Sequence, residues 1–274
     1  GDIDVSGGQV SITATGGSVL DADALVGGAN DGDQDISAVA LRLNAGSGVG
    51  GSVNHLETSV DTLSAAAGNG GVYLLEADAL NVGAVGLSVN RVGSDGSTAT
   101  GSSTDASQSD ITSGNNGVIV LRSTAGGITL NDGTDGDGTA ISAHGTGNVL
   151  VQTLGAGSGI TANADITSGS GSISVLAAGG VIFNAGADIR TSSTAAGSGS
   201  IDVQAGSGAI TQGATSALVS TGASATVRLL AATDVTVGDI DVSGGQVSIT
   251  ATGGSVLDAD ALVGGANDGD QDIS

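Results

Sequence analysis

Residues Gly147 to Gly169 read GNVLVQTLGAGSGITANADITSG. Three short apolar runs stand out in this stretch: Val149 to Val151, Ile160 to Ala162, and the DITSG run that begins at Asp165. Alternation of apolar and other residues gives such a run one buried face. Between the runs lie Gly, Ser, Asn and Asp, the residues that form turns. Three short strands with a turn after each describe one triangular coil. A second coil follows directly, as GSISVLAAGGVIF from Gly171 to Phe183 and DIRTS from Asp188 to Ser192.

The first run of each coil recurs along the chain. It reads GQVSI from Gly8, ALRL from Ala40, GGVYL from Gly70, NGVIV from Asn116, GNVLV from Gly147, GSISV from Gly171, GSIDV from Gly199 and ATVRL from Ala225. Period-two alternation predicts one inward column of Val10, Leu41, Val72, Val118, Val149, Ile173, Ile201 and Val227. It predicts a second of Ile12, Leu43, Leu74, Val120, Val151, Val175, Val203 and Leu229. Arg42, Tyr73, Ile119, Leu150, Ser174, Asp202 and Arg228 then point outward. Second strands are ITL at Ile128, ITA at Ile160, VIF at Val181 and VTV at Val235; third strands are AIS at Ala140, DITSG at Asp165, DIRTS at Asp188 and DIDVSG at Asp239. The expected fold is an all-β parallel β-helix with three short strands per coil. Residues Val92 to Asp110, VGSDGSTATGSSTDASQSD, break the rhythm and are expected to leave the coil as a polar excursion.

A longer period contains this one. Residues Gly238 to Ser274 repeat Gly1 to Ser37 letter for letter. A fixed long period is the signature of a repeat architecture. Residues 1–237 therefore read as one unit of a tandem array and residues 238–274 as the start of the next, with no separate domains. Eight strand motifs per unit predict about eight coils. At about 4.8 Å per coil that is an advance of roughly 38 Å.

Composition bounds the function. The chain has 274 residues, with no Pro, Cys, Met or Trp, one Tyr and one Phe, yet 39% hydrophobic residues. That suits a narrow core of small branched side chains. String-of-sandwich folds would need Pro and more aromatics. Lys is absent, and the net charge is −23. Seven of the 28 acidic residues lie in the second copy, so one unit carries 21 against five arginines. Such a surface stays soluble and repels nucleic acid. No apolar run reaches the length of a membrane span. The arginines Arg42, Arg91, Arg122, Arg190 and Arg228 are widely spaced, and His55 and His144 lie in different strand regions, so no catalytic constellation forms. Gly155 to Gly159, GAGSG, lacks the Lys and the following helix of a phosphate loop. No enzyme activity and no required cofactor are expected.

The coils GSISVLAAGGVIF and GNVLVQTLGAGSGITANADITSG resemble those of the filamentous haemagglutinin-type adhesins, giant secreted bacterial proteins. The resemblance covers the whole chain and is one of pattern and composition. It implies a right-handed β-helix on the cell surface or outside the cell. The expected role is a structural segment of a long extracellular fibre that continues end to end into further copies of itself. The alternative is a multivalent adhesin for a surface glycan or receptor.

Calcium is the one ion the residues suggest. Asp31, Asp33 and Asp35 place carboxylates at alternate positions, and Asp132, Asp135 and Asp137 form a similar turn. Neither turn carries the later bidentate Glu of an EF-hand loop. Asp165 and Asp188 are expected at equivalent places in adjacent coils, close enough to repel and to gain from a cation.

Overall fold

A computed structural model of the chain describes residues 2–23, 25, 31–193, 199–221, 225–260 and 271–274. Asn30, which opens the first acidic turn, lies outside them. Among the described residues there is no helix. Twenty-four strands form one sheet and two more form a separate hairpin. The large sheet pairs in parallel, each strand with its equivalent one coil away, which is the parallel β-helix expected.

Three faces wrap the core. The first face stacks Gly71–Glu76, Ile119–Ser123, Val149–Thr153, Ile173–Ala177, Ile201–Ala205, Thr226–Ala231 and Gln246–Ala251. The second runs from Leu80–Val82 through Ile128–Leu130 and Val181–Phe183 to Val256–Asp258. The third runs from Ile111–Ser113 through Asp165–Ser168 to Asp239–Val242. Residues alternate between buried and half-exposed along most of these strands, as a two-residue period requires. The sole Phe, Phe183, fills the core opposite Ala162 in the preceding coil, so a large side chain meets a small one.

The corner before the first face is tight. A Cβ on Gly147 would press into the carbonyl oxygen of Gly117, and one on Gly171 into that of Gly147. Glycine there is a condition of coil-on-coil contact. Inside the same corner, Ser113, Ser168, Thr191 and Ser220 are buried and donate to the carbonyls of Gly117, Gly147, Gly171 and Gly199 at 2.6–2.7 Å. Buried hydroxyls thus satisfy turn carbonyls that water cannot reach.

Two expected columns need correction. Ile119 and Leu121, not Val118 and Val120, enter the core column of the first face, because Val72 pairs with Ile119 and Ile119 with Val149. A one-residue shift exchanges the faces of a strand. Val118 to Leu121 is apolar throughout, so alternation cannot choose between the two registers. Ser123 can: in the observed register it turns inward and donates to Ala125 O at 2.6 Å and Asp78 O at 2.7 Å.

The second correction concerns the first coils. Val10, Leu41 and Leu63 form a ladder that leads to Val82 on the second face, while Ile12, Leu43 and Ala65 lead to Ile111 on the third. Ile36–Ala45 and Leu56–Ala67 contain no glycine and run as strands of 10 and 12 residues across a corner that later coils break with turns.

This placement fixes the unit's length in coils. Val19 stacks on Val49 and Val49 on Val72, two steps. Six more steps on the first face lead from Val72 to Val247. Val256, identical by repeat to Val19, lies one face further, paired with Val235 on the second face. Counted from Val19 the unit is eight coils and one face, where the sequence motifs predict about eight. Counted from Val10, whose ladder enters the second face at Val82 while its counterpart Val247 lies on the first, it is eight coils and two faces, because Ile3–Ala14 is one strand where its copy is broken into Asp239–Val242 and Gln246–Ala251. Locally the two copies agree: Ile3 pairs with Ile36 as Ile240 pairs with Ile273. Ile3 N donates to Asp35 O at 2.8 Å, and Ile240 N to Asp272 O at 2.7 Å.

The polar excursion is an ordered arm. Val85–Val92 pairs antiparallel with Thr98–Gln108 around the turn Gly93–Ser97, so it starts earlier than composition suggests and is a hairpin rather than a loop.

Candidate functional site

The acidic side chains gather differently from the sequence expectation. In the first turn, Asp31 and Asp33 do not join Asp35; Asp31 Oδ1 instead accepts Asp33 N at 3.0 Å. Asp35 meets Asp21 and Glu57, with one carboxylate oxygen of each within 4.8 Å of the others. Ladder pairing explains this: Ile36 stands beside Thr58, so the residues just before them, Asp35 and Glu57, are neighbours. Glu57 N donates to Asp35 Oδ2 at 2.9 Å. Glu57 lies between the buried residues Leu56 and Thr58 and is itself only 3% exposed. Burial first, then contact with Asp35, pushes the Glu57 carboxyl well above the usual carboxylate range; Asp35 rises chiefly through burial.

In the second turn, Asp135 and Asp137 meet Asp110, again within 4.8 Å, while Asp132 turns back to accept Gly138 N at 2.9 Å. Asp110 follows the arm, adopts φ 65°, and is buried. Burial, reinforced by Asp135 and Asp137, raises its carboxyl to about 8. Both turns thus acquire a buried acid from a distant strand. Glu57 and Asp110 carry no local motif, and only the ladder register brings them in.

A third group is Asp258, Asp260 and Asp272. Asp258 and Asp272 are the repeat counterparts of Asp21 and Asp35.

Asp165 and Asp188 are neighbours, as expected, but not unopposed. Arg190 bonds Asp188 Oδ2 and lies 3.6 Å from Asp165 Oδ2, and Asp188 N donates to Asp165 Oδ1 at 2.9 Å. An arginine two residues along the strand does the work assigned to a cation.

The other candidate features are structural. Tyr73, expected as an outward aromatic, is half-buried and stacks on His55 at 5.9 Å between ring centroids. His144 Nδ1 lies 2.8 Å from Ser113 O in a corner. The two histidines share no site. Arg42, expected outward, is buried at the base of the arm; its Nε donates to Ala106 O at 3.1 Å, and its terminal nitrogen to Thr13 Oγ1 at 3.2 Å. Arg228 pairs with Asp202 in the adjacent coil through two bonds of 2.9 and 2.7 Å.

An asparagine ladder went unrecognised in the sequence. Asn163 Nδ2 donates to Asn131 Oδ1 at 2.8 Å, and Asn184 Nδ2 to Asn163 Oδ1 at 2.5 Å. The signal is an Asn directly after three consecutive second strands, in ITLN, ITAN and VIFN. Comparison with protein-family models, with curated proteins and with solved structures finds no match.

Proposed function

We propose that the chain is a structural segment of a long extracellular filament built from near-identical units. One observation carries this reading. The repeated stretch joins the end of the ladder with the same pairing that it makes at the start, Ile240 with Ile273 as Ile3 with Ile36. Each coil is supported only by its neighbours, so such a stack extends without a new kind of interface. Ile36, held between its ladder neighbours Ile3 and Thr58, is buried. Open strand edges recruit further strands. No helix of the described residues is long and apolar enough to cross a membrane.

The test is electron microscopy of a chain of three consecutive units. The expected image is a rod that lengthens by roughly 40 Å per unit, from coils about 4.8 Å apart. Beads on a flexible string would end the reading.

A second reading, multivalent adhesion, is favoured by the arm. Val85–Val92 and Thr98–Gln108 expose most of their residues, and one arm per unit would give avidity for a surface glycan or receptor. Glycan-array binding that disappears with residues 86–107 would favour adhesion over a purely structural role.

A further inference from the structure

We propose that Asp21, Asp35 and Glu57 form a binding site for a calcium-sized divalent cation that fastens Asp21 and Asp35 onto the coil beneath them.

Glu57 points to the ligand. It is only 3% exposed, and among the described residues neither of its carboxylate oxygens meets a hydrogen-bond donor. The side chains around it are further acids, with an oxygen of Asp21 and one of Asp35 within 4.8 Å of one of its own. A buried acceptor without a donor is costly, and a buried charge is retained when it is paired or coordinates a metal. Arg190, the group that answers the similar pair Asp165 and Asp188, has no counterpart here among the described residues: all three groups are carboxyls.

Asn54 adds a second orphan. Its amide nitrogen donates to Asp21 Oδ2 at 2.5 Å and to Asp23 O at 3.3 Å, while its Oδ1 is buried without a partner. The site therefore gathers three carboxylates, one of them held by the Asn54 amide. Oxygen donors only, in flexible geometry and with negative charge, are what calcium takes; magnesium demands a stricter octahedron and sheds water reluctantly.

The second copy gives an independent check on the geometry. Asp258 and Asp272 converge again, joined by Asp260, although the strands beneath them are those of the later coils. Asp23 N donates to Asp21 Oδ1 and Asp260 N to Asp258 Oδ1, each at 2.7 Å. The convergence belongs to the repeated stretch, and Glu57 supplies the buried member from the coil that follows it.

The test is calcium bound per chain, by equilibrium dialysis at fixed ionic strength, together with thermal melts in calcium, magnesium or sodium chloride. The whole chain is compared with E57Q and with D61N, which removes one exposed charge from the same strand. Calcium should raise the melting midpoint beyond what the other two salts do. E57Q should lose one calcium per chain, or bind it about tenfold more weakly or worse, and should lose most of the rise in midpoint. D61N should keep both. Should E57Q fail to fold, D21N replaces it, since an asparagine there can still accept the Asn54 amide. Calcium binding by E57Q or D21N equal to that of the unmodified chain overturns the site, as does an equal rise in magnesium.

Discussion

At the scale of single residues, the core holds an acid that makes the fold sensitive to pH. Glu76 is fully buried in a column of inward polar side chains, between Thr58 and Ser123 of the neighbouring coils. Its Oε2 accepts Thr58 Oγ1 at 2.6 Å, and its Oε1 accepts Val60 N at 3.0 Å and Ala77 N at 3.1 Å. Burial outweighs these donors and raises the carboxyl from 4.5 to about 8. The folded chain thus holds a proton that the unfolded chain has released between those two values. Stability from this group is complete below about 4.5, declines as pH rises and is lost above about 8. The decline is at most about 1.4 kcal/mol per pH unit. Asp110 acts with the same sign. E76Q should flatten this slope, because a glutamine oxygen can take both backbone donors while its amide donates to Thr58. Melts at pH 5 and pH 8.5 should therefore differ less in E76Q than in the unmodified chain, with a gain of several degrees at pH 8.5. Parallel curves would show that the proton is not held at Glu76.

At the scale of elements, the legible parts were those with punctuation. From Val149 onward each strand of three to six residues has Gly, Ser, Asn or Asp within three residues of its end, and its core positions follow from alternation. Where punctuation fails, so does the reading. Leu56–Ala67 crosses a corner without a break, and Val118 to Leu121 is apolar on both faces. The arm was legible as an excursion but not as a hairpin, because Thr98–Gln108 is built of Thr, Ser, Ala, Asp, Gly and Gln with no apolar alternation. What shapes it is its own pairing plus two anchors: Arg42, and Gln108, whose amide donates to Leu43 O at 2.9 Å. The candidate site was half legible for a related reason. Asp35, Asp135 and Asp137 sit in visible acidic turns, whereas Glu57 and Asp110 enter only through long-range register. R42M should keep the packing of the side-chain stem and lose the bond to Ala106. The arm carries one trypsin site, Arg91, on an exposed strand. Cleavage there should become severalfold faster in R42M, read by mass spectrometry of the fragments. An unchanged rate would place the arm's stability in its own ladder.

At the scale of the whole molecule, the tandem organisation was open in the sequence through letter-for-letter identity, but the fraction of a coil was not. It depends on where each strand registers on the next, and the long early strands conceal that. A unit longer than eight whole coils by one or two faces carries a consequence for any array. Had the count been whole, every arm would stand on the same side, and the rod would carry a comb with one bristled edge and two bare ones. An excess of one or two faces turns each unit by about a third of a revolution, in one sense or the other, against the last, so the arms climb the rod as a spiral stair. Successive steps rise by about 40 Å, and the same azimuth returns after three units, near 120 Å. Helical reconstruction of a long array should show this threefold screw; arms stacked along a single line would refute it. A rod of this kind has no back. Whatever the arms meet, whether a neighbouring rod or a surface, they meet it from every side.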